Sequence, residues 1–516
     1  MTPSTFAASG EAGDVSNVIT LPLRSNRQIP DALKANIELG VITGTGGSYA
    51  PLHPQIRTAA VSPPPLVLDR ADPLKSARAI VARHFTQGGL RVLHHHRGLF
   101  YQWDDGFYRA LDEDTVSATL WNILGDSMAV ADGAQLVPYR PTRARVSDVR
   151  EALAAECNVP GRVEPPGWLN GHTGPAPTEL LAVQNGLLHL PSGTLHSRTP
   201  AFFNLNVAGV LYDPAANQPD QWLDFLRSIW THDQASIDAL QELFGYLLSP
   251  DASQQKIFLV VGPKRSGKGT IARVLTMLLG QDSVVSPTLD GLTSNFGLQP
   301  LIGKSVAIVG DARLGGRTNQ AALAERLLSI SGEDSITIDR KYHSPWTGRL
   351  PVRFVILTNE LPRLTDASGA LTSRFILLTM EQSFYGREDH ALLSRLLIEL
   401  PGILNWARAG YHRLTKRGYF VQPASSSDAI AELEALGSPI TSFVQDFCVV
   451  GAGRRCTIDA LFAAWTVWCS RNGRKDTGTT HTFGRDLRAT VPSLKVSQQR
   501  TSAGRVRSYD GIDLAP

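Results

Sequence analysis

Four cysteines in 516 residues, with no CxxC pair among them, leave neither a zinc ribbon nor a disulfide framework to be read from Cys157, Cys448, Cys456 and Cys469. Such usage fits a reducing compartment, and a cytoplasmic location is expected. The opening MTPSTFAASGEAGDV has no basic start and no apolar stretch, so it does not read as a secretion signal. No apolar run approaches the roughly 20 residues of a membrane helix, and no membrane partner is expected. Charge is also near balance: 50 Lys/Arg against 47 Asp/Glu leave +3. A global field for nucleic acid is therefore excluded, and any basic footprint must be local. One exists. From Arg454 onward, eleven Lys/Arg face five Asp/Glu.

The chain is too long for one core. Residues 1–70, rich in Ser, Thr, Gly, Ala and Pro, are expected to be a disordered leader. A small α/β unit follows over 71–135, with a helix at SARAIVARHF and strands at LRVLHHH and LFYQWDDGFYRAL. The three consecutive His at 94–96 make a poor chelate, because neighbours on a strand point to opposite faces. Residues 136–232 form a mixed α+β region, where strands flank the turn pairs Asn185-Gly186 and Ser192-Gly193. The third unit, 233–425, carries the chemistry. The last, 426–516, holds the helix TIDALFAAWTVWCSRNG, which buries Ile458, Leu461, Phe462, Trp465 and Trp468. A second helix starts near Thr482, and two basic strands follow, turning at Ser502-Ala503-Gly504. Two helices and then a basic hairpin is the order of a winged helix.

Inside 233–425, the helix DQASIDALQELFGYLLS leads to the strand KIFLVV and the turn GPKRSGKGT. A further helix follows, with Ile271, Val274, Leu275 and Leu278 on one face. Strand, glycine turn, helix is the context that a phosphate-binding loop needs. Its residues are Gly262, Pro263, Lys264, Arg265, Ser266, Gly267, Lys268, Gly269 and Thr270. Backbone amides would cradle phosphate, and Lys268 would reach the β/γ-phosphates of ATP. Gly269 stands where a Mg2+-binding hydroxyl usually follows the lysine, so Thr270 is the nearest substitute ligand. An acid is expected at the end of the continuous apolar strand VAIV, and Asp311 supplies it. Its neighbour is Ala312, so no second acid marks the general base; Glu325 and Glu360 stay open as candidates. Asn359, closing the strand RFVILT, is placed to orient an attacking water. Arg374, opening another apolar strand, is placed to stabilise the transferring phosphoryl group of a neighbouring subunit.

In that order and spacing the chain resembles the superfamily 3 helicases of AAA+ type. The likeness is to primase-helicases of phages, plasmids and satellite elements related to the poxvirus primase-helicase. The matching segments are GPKRSGKGT, VAIVGDA, GEDSITIDRKY, VILTNELP and LTSRF. NGLLHL, LYDPAANQP and the SPITSFVQDFC, FAAWTVWC and FGRDLRA segments are similar as well, so the resemblance spans roughly 75–516. It implies an α/β fold: an AAA+ P-loop core, a helicase-associated α+β region before it and a winged helix after it. It also implies a hexameric ring translocating on single-stranded DNA, typically 3′ to 5′, and acting on forks. By the same resemblance SITIDRKYHSPWTGRLPVRF is a DNA-gripping pore hairpin. Arg340, Lys341 and His343 would lie near a tip made by Ser344 to Gly348. Only a short ordered stretch precedes the helicase region, and no convincing metal-binding carboxylate set is found there, so priming is assigned to a separately encoded primase. Two rivals remain. GKGT also ends the loop of small-molecule kinases such as adenylate kinase, and a regulatory or origin-binding ring ATPase would need no unwinding.

Overall fold

The computed structural model describes residues 64–516, apart from 132–133, 170, 311–318, 342, 363, 365–369, 475–476, 502–503 and 516. Val67–Leu68 is already a strand, paired in parallel with Met128–Val130, and Leu68 is buried. Arg70 donates from Nε to the Tyr139 carbonyl at 2.8 Å. The leader expected over 1–70 therefore ends too late. Three prolines dominate the local composition, whereas the apolar pair just after them completes a sheet. Helix Pro73–His84 starts with proline in its first turn and an Asp72 side chain accepting from the Lys75 amide at 2.9 Å. Its buried Ala77, Ile80 and Val81 share one core with Val146, Val149 and Leu153 of helix Arg143–Glu156. That core runs on to Cys157, so it does not break at the boundary expected at 135.

Strands Leu93–His96, Leu99–Asp104 and Phe107–Leu111 form an antiparallel sheet. His94 and His96 face one way, both buried, with their rings 6.1 and 5.7 Å from the ring of Phe203. His95 lies between them in sequence and is only half-buried, beside Phe100. Burial, with the charge of Arg91 as a smaller cause, lowers His94 to about 4 from an ordinary value of 6.5. A histidine lowered in the folded state stabilises fully above its unfolded value. That stability is lost as pH falls from 6.5 towards 4, because the unfolded chain binds the proton first. The difference corresponds to about 3 kcal/mol. Urea unfolding at pH 7.5 and 4.5 is expected to reveal that loss in the wild type. His94→Leu should lose less by about this amount, and an equal loss in both would refute the assignment.

The central sheet has five parallel strands, here β1 (Ile257–Val261), β2 (Val284–Val285), β3 (Val306–Val309), β4 (Arg353–Thr358) and β5 (Phe375–Thr379), in the order β2-β3-β4-β1-β5. Each long strand is buried on both faces, which explains the unbroken apolar runs. Phe258, Val260, Ile308, Val355 and Leu378 face a core shared with helices Gln234–Leu248, Lys268–Leu279 and Leu400–Arg417. Leu259, Val309, Ile356 and Leu377 face the opposite core, with Leu323 and Leu327 of helix Gln320–Ser331. Ile237, Leu240, Phe244 and Leu247 are buried as the periodicity predicts. The first of these cores also takes in Val183, Leu188, Trp222 and Leu226. The region expected to end at 232 is thus packed into the same face of the sheet as helix Lys268–Leu279.

Hairpin Leu180–Val183/Gly186–His189 turns at Gln184 and Asn185, one residue earlier than the Asn-Gly pair suggests. In the last unit, helices Pro439–Phe447, Ile458–Arg471 and Thr480–Thr490 enclose Phe443, Leu461, Trp465, Trp468 and Phe483. Phe462 is only half-buried. Strands Lys495–Thr501 and Gly504–Leu514 pair as expected, while turn residues Ser502 and Ala503 lie outside the described residues. A third strand, Cys448–Thr457, joins the outer edge of Gly504–Leu514. Its GAGRR centre hides it from pattern reading, and the register shifts there, between Val450 and Arg455. Among the described residues no helix is long and apolar enough to cross a membrane.

Candidate functional site

β1 lies between β4 and β5, neither of which adjoins it in the chain. Connections leave the strand tips in different directions there, and a crevice opens beyond their C-terminal ends. The turn from Gly262 to Gly267 occupies it. Arg265 and Gly267 both have positive φ, 60° and 99°, an arrangement that turns successive amides towards one point. Gly267 is also the N-cap of helix Lys268–Leu279. A Cβ at Gly267 would stand 3.0 Å from Phe225 and Ile229, so both conformation and space require glycine.

Lys268 folds over the turn. Its Nζ donates to the carbonyls of Gly262 (2.6 Å) and Pro263 (2.8 Å), to Ser266 Oγ (3.2 Å) and to Asn359 Oδ1 (3.2 Å). Asn359 follows β4, the strand beside β1, so two separately predicted residues meet at one sheet edge. Ser266 is buried; Lys264, Arg265 and Gly269 are exposed. The cleft around them measures about 830 Å³, lined by residues 264–270 and by Asn359, Phe225, Arg273 and Arg387. Asp311, the expected acid, lies outside the described residues. Glu360 is exposed directly after Asn359, and Glu325 is exposed on helix Gln320–Ser331.

Two parts of the cleft escape sequence reasoning. The first is Arg273, one helical turn after Gly269. Its guanidinium nitrogens stand 3.8 and 4.0 Å from where a Cβ on Gly269 would be. Position 269 lacks the hydroxyl, and a cation lies against the space left open; an i, i+4 reading of the helix could have found it. The second is a strap after β5. Ser383 Oγ donates to the Lys264 carbonyl (2.9 Å), the Phe384 amide to the Arg265 carbonyl (3.0 Å), and Arg265 pairs with Glu388 (3.4 Å). No local pattern signals it.

Arg374 does not join this cluster. It precedes β5, at the opposite edge of the sheet, where it donates to Ser331 Oγ (3.0 Å) and the Leu328 carbonyl (3.2 Å). It thereby caps the last turn of helix Gln320–Ser331 within its own chain. The hairpin Ile336–Arg340/His343–Gly348 is present, but Arg340 already pairs with His343. Ser344 to Gly348 are therefore the returning strand and not the tip, which lies between Arg340 and His343, where Lys341 stands. Arg340 bonds the Ser344 carbonyl (2.8 Å) and turns towards Gly98 of the N-terminal sheet. Lys341 is exposed, and its amide reaches Gln299 Oε1 at 3.1 Å. His343 heads the second strand; its side chain lies outside the described residues.

Residues 260–374 match a family described as a family of unknown function, DUF5906. The match runs from the end of β1 to Arg374 and so contains the turn 262–270, Asn359 and the 336–348 hairpin. Three solved structures of the NrS-1 C-terminal region are similar in fold at low identity. One apo form is 11% identical with a TM-score of 0.46, and another 11% identical at 0.47; each covers 81% of this chain and 95% of its own. A third, 12% identical at 0.45, covers 86% of this chain and 100% of its own.

Proposed function

We propose that the chain is an ATP-hydrolysing DNA helicase of the superfamily 3, AAA+ type, serving replication of a phage, plasmid or other mobile element as a hexameric ring. The observation that carries this reading is the Lys268 Nζ to Asn359 Oδ1 contact of 3.2 Å. It joins the phosphate-seeking cation to a side chain suited to holding water, at the sheet edge where nucleotides bind. In the proposed reaction the loop amides and Lys268 hold the β/γ-phosphates of ATP. Asn359 orients the attacking water, and Arg374 of one subunit serves the site of the next. The described residues offer a Mg2+ ion the Thr270 hydroxyl, with Arg273 beside hydroxyl-free Gly269; when bound with ATP, Mg2+ would neutralise phosphate charge. Residues 426–516 are read as a winged-helix DNA-binding domain, and a separately encoded primase as a partner.

Strand displacement on a forked duplex is the decisive test. ATP-dependent unwinding supports the reading, and tight duplex binding with ATP turnover but no unwinding overturns it. The hairpin supplies a second expectation. Lys341→Ala combined with His343→Ala removes cations suited to a phosphate backbone. DNA should then no longer stimulate ATP turnover, while DNA-independent turnover persists. Stimulation that survives the double change would exclude the tip as the DNA grip.

A further inference from the structure

A second cavity lies at the other edge of the sheet, away from the phosphate loop. It measures about 270 Å³ and is enclosed by the N-terminal sheet, the 336–348 hairpin and the start of β4. β4 separates the two sites: Arg353 begins it and lines this cavity, whereas Asn359 follows its far end. Six strand residues put them about 20 Å apart.

The lining is unbalanced in charge. Five cations border the cavity, Arg97, Lys304, Arg340, Arg349 and Arg353, against two carboxylates, Glu164 and Glu333. Arg97 is already paired with Glu164 and lies over the Trp346 ring at 5.3 Å. Lys304 donates to the Asp282 carbonyl at 2.6 Å. Arg353 is 3% exposed; its guanidinium donates to the carbonyls of Pro351, Leu247 and Ser249 and lies over the Tyr246 ring at 5.6 Å. No carboxylate lies within ion-pair distance of it among the described residues, and burying such a charge is costly. Arg349 is exposed and has no hydrogen-bond or ion-pair partner among the described residues. The remaining wall is largely apolar, with Tyr101, Phe202, Trp346 and Leu350.

Excess positive charge beside an apolar, aromatic wall suits a ligand with one flat ring system and one anionic group. We infer that this cavity binds one nucleotide unit, its phosphate against Arg340 and Arg349 and its base against the Tyr101 and Trp346 side. The unit comes either from a free mononucleotide or from a single strand of DNA, whose recognition chemistry is shared. The inference deepens the DNA-gripping part of the proposed function and is independent of the phosphate loop. It also gives Arg340 a different task from Lys341: a base-and-phosphate pocket behind the hairpin rather than contact at its tip.

The test uses the full chain without ATP, with a fluorescein-labelled oligothymidylate and with dTMP as probes. Anisotropy should record oligothymidylate binding that weakens about tenfold in Arg349→Ala and in Arg340→Ala. The slope of log affinity against log salt should fall by about 0.7 for each arginine removed. Tryptophan emission should change on binding, and Trp346→Phe should lose much of that change while remaining folded by circular dichroism. A response to dTMP assigns the site to a free nucleotide; a response to oligothymidylate alone assigns it to one unit of a strand. Unchanged affinity and slope in Arg349→Ala, or an emission change that Trp346→Phe leaves intact, would overturn the inference. ATP turnover by the wild-type chain is measured alongside. Its absence would count against the motor reading and leave the cavity result standing.

Discussion

Lys268→Ala is expected to lower ATP hydrolysis by about 10²-fold or more, the scale of losing a preorganised contact to developing charge. DNA unwinding should disappear with it. The lysine is not a bare exposed cation: it is half-buried and bonded to two loop carbonyls, Ser266 and Asn359. Bound phosphate would draw the ammonium away from those carbonyls, so binding exchanges internal hydrogen bonds for stronger charge-assisted ones. Because alanine also removes the internal bonds, a modest stability cost is expected, on the order of 1 kcal/mol. In a chain of this size that moves the melting midpoint by only about 2–4 °C. Turnover and thermal melting measured together check both statements. Near-normal turnover in a folded variant would remove the phosphate cradle from the proposal.

Arg374→Ala should leave ATP binding intact and cost about 10³-fold in hydrolysis, the magnitude of an arginine supplied from a neighbour. The proposal places the partner in a neighbour because Arg374 just precedes β5, whereas the loop follows β1, at opposite ends of paired parallel strands. One strand length of about 16 Å separates them within a chain. In a head-to-tail ring, the interface is heterologous, and one subunit's arginine faces the next subunit's loop. Mixing Lys268→Ala with Arg374→Ala then creates interfaces with an intact lysine on one side and an intact arginine on the other. Hydrolysis should reappear once subunits exchange. Its bonds to Ser331 and Leu328 offer the competing role, bracing helix Gln320–Ser331. Under bracing alone, every site stays impaired and mixing restores nothing, with mixed rings verified by native mass spectrometry.

The strand, glycine turn and helix of the candidate loop were legible because their determinants are local. An apolar strand, two glycines with a lysine and an amphipathic helix follow one another without interruption, and the structure assembles them as strand, turn and helix. The meeting of Lys268 with Asn359 was legible from strand-end positions alone, since parallel strands align their C-terminal ends. What failed was long-range or register-dependent. Val67 and Leu68 pair with residues some sixty positions away, so the prolines before them dominated the local reading. The hairpin tip was misplaced because it is set by the pairing register, Ile336 with Gly348 through Arg340 with His343, which composition does not encode. The strap from Ser383 to Glu388 becomes visible only when the segment after β5 and the loop are brought side by side.

The strap gives β5 a mechanical character. One end of this five-residue rod is tied to the loop, through Met380 to Val261 and through Ser383 and Phe384 to Lys264 and Arg265. The other end seats Arg374 on helix Gln320–Ser331. Packed strands do not stretch, so displacement at one end is carried to the other rather than absorbed between them. A loop that shifts when its lysine leaves the Gly262 and Pro263 carbonyls has a stiff load path to Arg374. If Arg374 serves the next subunit as proposed, filling one site would thereby tug on the arginine offered to its neighbour.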